Sequence, residues 1–281
     1  MAAVGFQGLT VLSLESRRAV EMSRLIETYG GKPISAPAIR EVPVAENENT
    51  LVFARGLIAG QFDLVVFLTG VGARALLQVV TEAHLADTFI QALHRVKVAA
   101  RGPKPLAVLR EWNVPVAFTA PEPCTWRELL GVLVESRANL SGLRVVVQEY
   151  GASNPEFTAA LRERGAIVKE VAVYRWELPS DVAPLREVVS AVIAKQVDVA
   201  LFTTGVQAVH LFRIAEEMGQ QDKLHAGFQR VVIASIGPTT SETLLTLGVA
   251  VDLETSHPKM GILVKEAAEQ AAALSSHKRA D

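Results

Sequence analysis

The sequence predicts an α/β protein of two similar lobes, each built around a parallel β-sheet. The first observation is a long internal repeat: QFDLVVFLTGV (residues 61–71) returns 135 residues later as QVDVALFTTGV (residues 196–206). At the same offset RVKVAARGP (residues 95–103) returns as RVVIASIGP (residues 230–238). Solenoid repeats span only about 20 to 50 residues, so this period corresponds to a domain. The second observation is that short apolar runs alternate with longer amphipathic stretches, as βα units do around a parallel sheet.

The length, composition and charge of the chain limit what it can be. At 281 residues and 49% hydrophobic content it can fill two cores. Its 28 basic and 30 acidic residues are nearly balanced, which argues against nucleic acid as a partner. A single cysteine, Cys124, excludes an internal disulfide, and no Cys or His pattern has zinc spacing. Without a charged, then apolar leader or an apolar run of about 18 residues, we expect a soluble, cytoplasmic protein with no membrane contact. Nothing in the sequence demands more than a monomer, so a monomer is expected.

Hydrophobic periodicity places the elements along the chain. Short apolar runs predict strands at residues 9–14, 64–68, 96–100, 114–118, 143–148, 197–203, 231–236 and 249–253. Amphipathic stretches predict helices that include residues 18–28, 155–164, 182–195 and 261–274. Two equivalent segments, residues 34–44 and 167–177, are expected to be extended, and prolines exclude a helix from the first. We expect the final SSHKRAD to form a frayed tail.

Four strand-to-helix turns are candidate ligand sites, because open parallel sheets bind ligands at the carboxyl ends of their strands. They are TGVGA (69–73), RGPKP (101–105), TTGVQ (203–207) and IGPTT (236–240). Each has a glycine and no acid in the first helical turn, where Asp and Glu are normally favoured. Such helix starts suit the anionic groups of a ligand. The alternative, that the turn threonines only cap their helices, stays open; these are Thr69, Thr204, Thr239 and Thr240.

A dinucleotide-binding site is a weaker interpretation of the first of these turns. GVGARA (residues 70–75) fits the G-x-G-x-x-A pattern between a strand and a helix. Its repeat partner GVQAVH (residues 205–210) lacks the second glycine, and no strand ending in an acid follows about twenty residues later. A hydride-transferring oxidoreductase is therefore disfavoured.

Three segments resemble the uroporphyrinogen-III synthase family: IGPTTSETLLTLGV, the FTTG turn and AVYRW (residues 172–176). The resemblance covers about residues 9–274. It implies two flavodoxin-like parallel-sheet lobes joined by a two-stranded β ladder, with a cleft between the lobes. The implied boundaries are residues 1–36 plus 177–281 for lobe one, 44–170 for lobe two, and 37–43 and 171–176 for the linker strands.

The same resemblance implies a reaction. Hydroxymethylbilane, a small-molecule polycarboxylate, would lose water and close to uroporphyrinogen III with its last pyrrole ring inverted, without a cofactor or metal. The family's tyrosine falls on Tyr174, the candidate general acid, since an unperturbed phenol with a pKa of about 10 keeps its proton at neutral pH. Half-buried packing of Tyr174 is the structural alternative.

The expected substrate contacts lie at the four turns. They are Thr69, Gly70, Arg101, Gly102, Lys104, Thr204, Gly205, Pro238, Thr239 and Thr240. Gln148, in QEYG at the end of a central strand, departs from the arginine-glycine of other members. A non-catalytic two-lobed module that binds or senses an anionic small molecule would need the same architecture and stays open as the alternative function.

Overall fold

The chain forms two compact units in the computed structural model, which describes residues 5–43, 48–136, 140–149, 151 and 154–280. One unit comprises Met1–Arg40 and Glu177–Asp281, and the other comprises Glu41–Trp176. Each unit contains a five-stranded sheet, and a separate two-stranded sheet accompanies them. All strand pairs within the five-stranded sheets are parallel. The predicted fold class of two parallel-sheet α/β lobes with a two-stranded ladder is confirmed.

The helices and strands alternate along most of the chain. In chain order the elements are β1 (Thr10–Ser13), α1 (Ala19–Thr28), β2 (Lys32–Ser35), β3 (Arg40–Pro43), α2 (Glu48–Ile58), β4 (Leu64–Phe67), α3 (Gly70–Glu82), α4 (Ala86–Leu93), β5 (Lys97–Ala100), α5 (Pro103–Glu111), β6 (Phe118–Thr119), α6 (Trp126–Glu135), β7 (Arg144–Gln148), α7 (Pro155–Glu163), β8 (Ile167–Val171), β9 (Tyr174–Glu177), α8 (Ala183–Ile193), β10 (Val199–Phe202), α9 (Gly205–Glu217), α10 (Gln221–Phe228), β11 (Val232–Ser235), α11 (Pro238–Thr246), β12 (Leu253–Glu254) and α12 (Met260–Ala280). Among the described helices, none combines the length and low polarity that a bilayer crossing requires.

The strand orders show that the sequence repeat is a structural duplication. The first unit has the order β12-β11-β10-β1-β2, and the second has β6-β5-β4-β7-β8. When repeat partners are aligned, β10 with β4 and β1 with β7, the two orders are the same. The first two strands of the chain, β1 and β2, therefore complete the sheet of the C-terminal half.

Apolar residues on both faces of each sheet explain why the central strands read as continuous hydrophobic runs. In β10, Ala200 and Phe202 are buried in one core cluster, whereas Val199 and Leu201 are buried in another. β4 divides in the same way between two clusters of the second unit. Side chains alternate across a strand, so helices cover each sheet on both sides.

Several predicted bounds are wrong at the edges of the sheets. The runs at residues 114–118 and 249–253 become the two-residue edge strands β6 and β12, which start four residues later than expected. Val114 and Val249 are buried in the core but lie before the paired residues of β6 and β12, so their apolar character reflects packing. Edge strands need few paired residues, and hydrophobicity alone does not locate where pairing begins.

The expected extended segments are each divided between two sheets. β2 joins the five-stranded sheet of the first unit, and only β3 enters the two-stranded sheet. Likewise β8 joins the sheet of the second unit, and β9 pairs with β3. Val44, the last residue of the first predicted segment, lies outside the described residues.

The C-terminal tail is helical as far as Ala280, so the expectation of a frayed end is wrong. Lys278 donates to the Val231 carbonyl at 2.8 Å and pairs with Asp252 at 2.6 Å. Arg279 pairs with Asp198. These contacts fasten the last turn of α12 to the strands beside it.

The aspartate shared by the two repeat segments, Asp63 and Asp198, fixes the start of a neighbouring strand in each unit. Asp63 accepts a hydrogen bond from the backbone N–H of Arg144 at 2.8 Å, and Asp198 accepts one from Thr10 N–H at 2.8 Å. Arg144 also forms an ion pair with Asp63 at 2.8 Å. Each carboxylate therefore satisfies a backbone donor where a central strand begins.

Gly70 and its repeat partner Gly205 each allow two helices to approach each other closely. A Cβ on Gly70 would lie 2.8 Å from the carbonyl oxygen of Lys104 in α5. A Cβ on Gly205 would overlap the side chain of Thr243 in α11. The two glycines therefore serve helix packing, whatever else they contact.

Replacing Asp63 with Asn should lower the free energy of unfolding at neutral pH by about 1 kcal/mol, because a partly exposed ion pair and a hydrogen bond are weakened. The hydrogen bond from the Arg144 side chain lowers the pKa of Asp63 from 3.8 to about 2. Since the folded-state pKa lies below the unfolded value, this stabilisation is complete above pH 3.8 and is lost as the pH falls toward 2. Urea unfolding from about pH 7 down to about pH 3 measures the difference.

The matched control for Asp63→Asn is Glu111→Gln, which removes the exposed ion pair to Arg74 and should leave the unfolding midpoint nearly unchanged. A difference between wild type and Asp63→Asn that stays constant over the whole pH range would contradict the assigned role.

Replacing Gly70 with Ala should destabilise the protein by about 1–3 kcal/mol, because the added methyl would meet the rigid backbone of Lys104. Gly131, inside α6, has nothing within 4 Å of its Cβ position. Gly131→Ala should instead stabilise the helix by about 0.5–1 kcal/mol. Urea unfolding of both variants measures these opposite signs, and a shift in the same direction for both would refute the packing argument.

Candidate active site

Tyr174, the predicted general acid, begins β9 and is 5% exposed. Its ring lies in a core cluster of the second unit that includes Phe67 and Val173. The ring of Trp176 stands edge-on to it, with centroids 6.2 Å apart. Its hydroxyl lies 3.1 Å from Oγ1 of Thr69. The tyrosine is therefore more deeply packed than the sequence suggested, and its polar end reaches a strand-to-helix turn.

Thr69 is the N-cap of α3, so helix capping does occur at this predicted ligand turn. Its Oγ1 accepts a hydrogen bond from Gly72 N–H at 3.0 Å. Its own N–H donates to Oε1 of Gln148 at 3.3 Å. The structure thus brings together two predicted site residues, Thr69 and Tyr174, that lie 105 positions apart in the sequence.

Gln148 contacts the predicted site residue Thr69, and the sequence predicted no role for it. It ends β7, is 1% exposed, and donates through Nε2 to the carbonyl of Glu149. The available signal was a polar residue that directly follows three valines in a central strand. Such a residue is buried where parallel strands end, and a buried amide requires partners.

The turn before α5 places Gly102 at the N-cap without a side-chain cap. Arg101 is half-buried and Lys104 is exposed. Pro103 and Pro105 occupy the first and third helical positions and carry no N–H, so this helix start has fewer backbone donors than its glycine suggested. The cationic side chains of Arg101 and Lys104 are the stronger features of this turn.

Cys124 packs beside the same turn. A Cβ on Gly102 would lie 3.1 Å from the Cβ of Cys124. Burial raises the pKa of the Cys124 thiol, and the nearby Glu122 carboxylate adds to the rise. A thiol with a raised pKa is a poor nucleophile, which agrees with a packing role.

In the first unit, Thr204 and Gly205 begin α9, and the turn is closed by Gln207. Oε1 of Gln207 accepts from Thr203 N–H at 2.9 Å and from Thr204 N–H at 3.4 Å. Its Nε2 donates to the Thr203 hydroxyl at 2.8 Å, and this hydroxyl donates to Glu15 at 2.6 Å. A carboxylate two residues beyond the end of β1 therefore lies beside the turn.

The IGPTT turn starts α11, with Gly237 at the N-cap and Pro238 at the first helical position. Thr239 is exposed and Thr240 is buried. The Ser241 hydroxyl contacts Oε2 of Glu254 at 2.5 Å. As at α9, an acid from outside the helix lies beside the helix start.

Whether an acid lies near a helix start depends on neighbouring segments as well as on the helix itself. None of α3, α5, α9 and α11 has an acid in its first turn, as the sequence indicated. However, α8 and α12 lack one too. In the first unit, Glu15 and Glu254 lie close to two of these turns in space. Over the described part of the chain, no three His, Cys, Asp or Glu side chains are grouped as a metal site requires.

The chain is similar to known proteins over most of its length. A family model described as uroporphyrinogen-III synthase HemD matches residues 20–265. The uncharacterized protein YjjA of Bacillus subtilis (strain 168) is 30% identical over 266 residues, covering 94% of this chain and 97% of that protein. The putative uroporphyrinogen-III synthase of Methanothermobacter thermautotrophicus is 29% identical over 233 residues, covering 83% of this chain and 87% of that protein.

Among solved structures, a mutant uroporphyrinogen III synthase from Thermus thermophilus matches with a TM-score of 0.73 and 25% identity, covering 95% of this chain and 99% of that one. The uroporphyrinogen-III synthetase of Helicobacter pylori 26695, at 15% identity and a TM-score of 0.53, covers 92% of this chain and 98% of that one and shares the fold. Given the family match over residues 20–265, the chain belongs to the uroporphyrinogen-III synthase family.

Proposed function

We propose that this protein is a uroporphyrinogen-III synthase, a cyclising lyase of tetrapyrrole biosynthesis. Its substrate is hydroxymethylbilane, which closes to uroporphyrinogen III with loss of water and inversion of the last pyrrole ring. Family membership supports the reaction. The observation that supports the assignment of roles is the contact between the Tyr174 hydroxyl and Thr69 at the N-cap of α3.

Tyr174 acts as the general acid. Its hydroxyl donates a hydrogen bond to the departing hydroxyl of the substrate, while the Thr69 hydroxyl donates to the phenol oxygen. Thr69 can do so because its own oxygen already accepts from Gly72 N–H, which leaves its proton for Tyr174. The 3.1 Å distance between the two oxygens suits a hydrogen bond that strengthens as negative charge grows on the phenol.

The contribution of Tyr174 is limited by the chemistry of the substrate. The leaving group departs from an electron-rich pyrrole methylene, which ionises readily. Much of the enzyme's work is therefore to hold the chain so that the last ring attacks through its substituted carbon before the uninverted ring closes. A tyrosine fixed in the core by packing and by Thr69 serves such positioning.

Each unit offers its own groups to the substrate carboxylates. In the second unit these are the N–H groups at the start of α3, around Gly70, and the side chains of Arg101 and Lys104. In the first unit they are the start of α9 and the exposed Thr239 of the IGPTT turn. Helix starts contribute about 0.3–1 kcal/mol toward an exposed anion, so several must act together. A cytoplasmic location and a monomeric state complete the proposal.

The isomer assay tests the function directly. Freshly generated hydroxymethylbilane is supplied to the protein, and the oxidised porphyrins are separated by isomer. We expect isomer III to form in excess over isomer I, because spontaneous closure gives isomer I. Isomer I alone, together with tight binding of a tetrapyrrole, would instead favour a non-catalytic binding or sensor module.

Replacing Tyr174 with Phe should lower kcat about 10- to 100-fold, at or below the lower end of the range for general acids. The fold should persist, since the ring still fills the core and only one hydrogen bond, worth about 0.5–1.5 kcal/mol, is lost. Steady-state formation of isomer III measures the effect. Tyr29→Phe, at the C-cap of α1, is the matched control and should keep wild-type kinetics. Unchanged kcat in Tyr174→Phe would remove the phenol from the mechanism.

A further inference from the structure

The two units satisfy the same strand-to-helix turn with a buried carboxamide, but the carboxamide comes from different places in the sequence. In the first unit it belongs to Gln207, the third residue of α9, and it accepts from the N–H groups of Thr203 and Thr204. In the second unit it belongs to Gln148, at the end of β7, and it accepts from Thr69 N–H. Both glutamines are 1% exposed.

In the repeat alignment, the two glutamines fall at two different positions, and each unit has its glutamine at only one of them. Gln207 corresponds to Gly72 at the offset of 135, since 207 − 72 = 135. Gln148 corresponds to Leu14 at the offset of 134 that relates β1 to β7. The strand register supports this correspondence. In the second unit Phe67 lies opposite Gln148. In the first unit Leu201 lies opposite Ser13, so the next step of the same register places Phe202, the repeat partner of Phe67, opposite Leu14.

The two positions depend on each other sterically. A Cβ on Gly72 would overlap the Gln148 carboxamide, at 2.5 Å from Cδ and 2.8 Å from Oε1. In the first unit the buried Leu14 has no amide, and Gln207 supplies it. In each unit a glutamine at one of the two positions therefore accompanies a residue without an amide at the other, Leu14 in the first unit and Gly72 in the second.

We propose that Gln148 is a positioning residue for the Tyr174 hydroxyl, acting through Thr69. The carboxamide is held at both ends, because Nε2 donates to the Glu149 carbonyl and Oε1 accepts from Thr69 N–H. This fixes the Thr69 backbone, whose Oγ1 lies between Gly72 N–H and the Tyr174 hydroxyl. Gln148 touches neither substrate nor Tyr174 in this role, and the inference rests on the proposed function of Tyr174.

Moving the carboxamide tests this role. Gln148→Leu removes it, and we expect kcat to fall about 10-fold with little change in KM, since a small misplacement of a reacting group costs up to about 100-fold. The double variant Gly72→Gln with Gln148→Leu reproduces the arrangement of the first unit and should recover most of the lost kcat. The matched control, Gly72→Met with Gln148→Leu, fills the same volume without an amide and should stay impaired. Equal activity in the two double variants would overturn the proposal.

A double-mutant cycle separates positioning of Tyr174 from general support of the fold. If Gln148 acts through the phenol, Gln148→Leu should have almost no further effect on kcat in a Tyr174→Phe background. A loss of about 10-fold in both backgrounds would show that Gln148 acts independently of Tyr174, and the proposal would be wrong.

A measurement without substrate distinguishes this proposal from the proposed function. In protein labelled with 13C-tyrosine, the Tyr174 ring resonance is assigned by its disappearance in Tyr174→Phe. We expect it to shift in Gln148→Leu and to return in Gly72→Gln with Gln148→Leu. If wild type makes no isomer III but the resonance follows this pattern, only the function fails. An unmoved resonance in Gln148→Leu overturns the positioning role.

Discussion

The structure depends on one requirement: backbone N–H groups must find acceptors where a buried strand turns directly into a helix. The last residues of a central parallel strand lie inside the protein, and the first turn of the following helix has donors without intrahelical partners. At α3 and α9 a threonine stands at the N-cap and a glutamine carboxamide accepts the N–H groups around it. These turns are the carboxyl ends of strands, where α/β proteins bind ligands. The groups that complete the fold are therefore the groups that line the candidate site.

The duplication explains why much of the fold could be predicted from the sequence. The offset between residues 61–71 and 196–206 is kept because both segments form a central strand and the same turn. Asp63 and Asp198 recur because each accepts from the first N–H of a neighbouring strand. Gly70 and Gly205 recur because each lets two helices touch. Constraints of this kind act on single residues at fixed spacing, and a sequence displays them directly.

The parts that could not be predicted depend on contacts between distant positions. Thr69 and Tyr174 were both candidates, but their hydrogen bond joins a turn to a strand of the ladder 105 residues away. Glu15 and Glu254 lie beside the helix starts of the first unit, although neither belongs to those helices. Local spacing does not reveal such neighbours. The tail beyond Leu274 was misjudged for the same reason, since contacts with distant strands fix it.

The two units share the same strand order but differ in the residues at their strand-to-helix turns. In the second unit, prolines remove donors from the start of α5, and cationic side chains stand there instead at Arg101 and Lys104. In the first unit the turns carry hydroxyls that already contact carboxylates, as Thr203 does with Glu15.

The position of the carboxamide follows from the same divergence. The tyrosine hydroxyl is held in the second unit, by the turn whose carboxamide comes from the neighbouring strand. A glutamine inside the helix would bring a Cβ into the space that the Gln148 carboxamide fills. Because β7 supplies the amide, Gly72 needs no side chain of its own, and its N–H remains bonded to the threonine that contacts Tyr174. The cap of α3 and the contact with the phenol are therefore satisfied by one threonine, whose backbone is held from outside the helix.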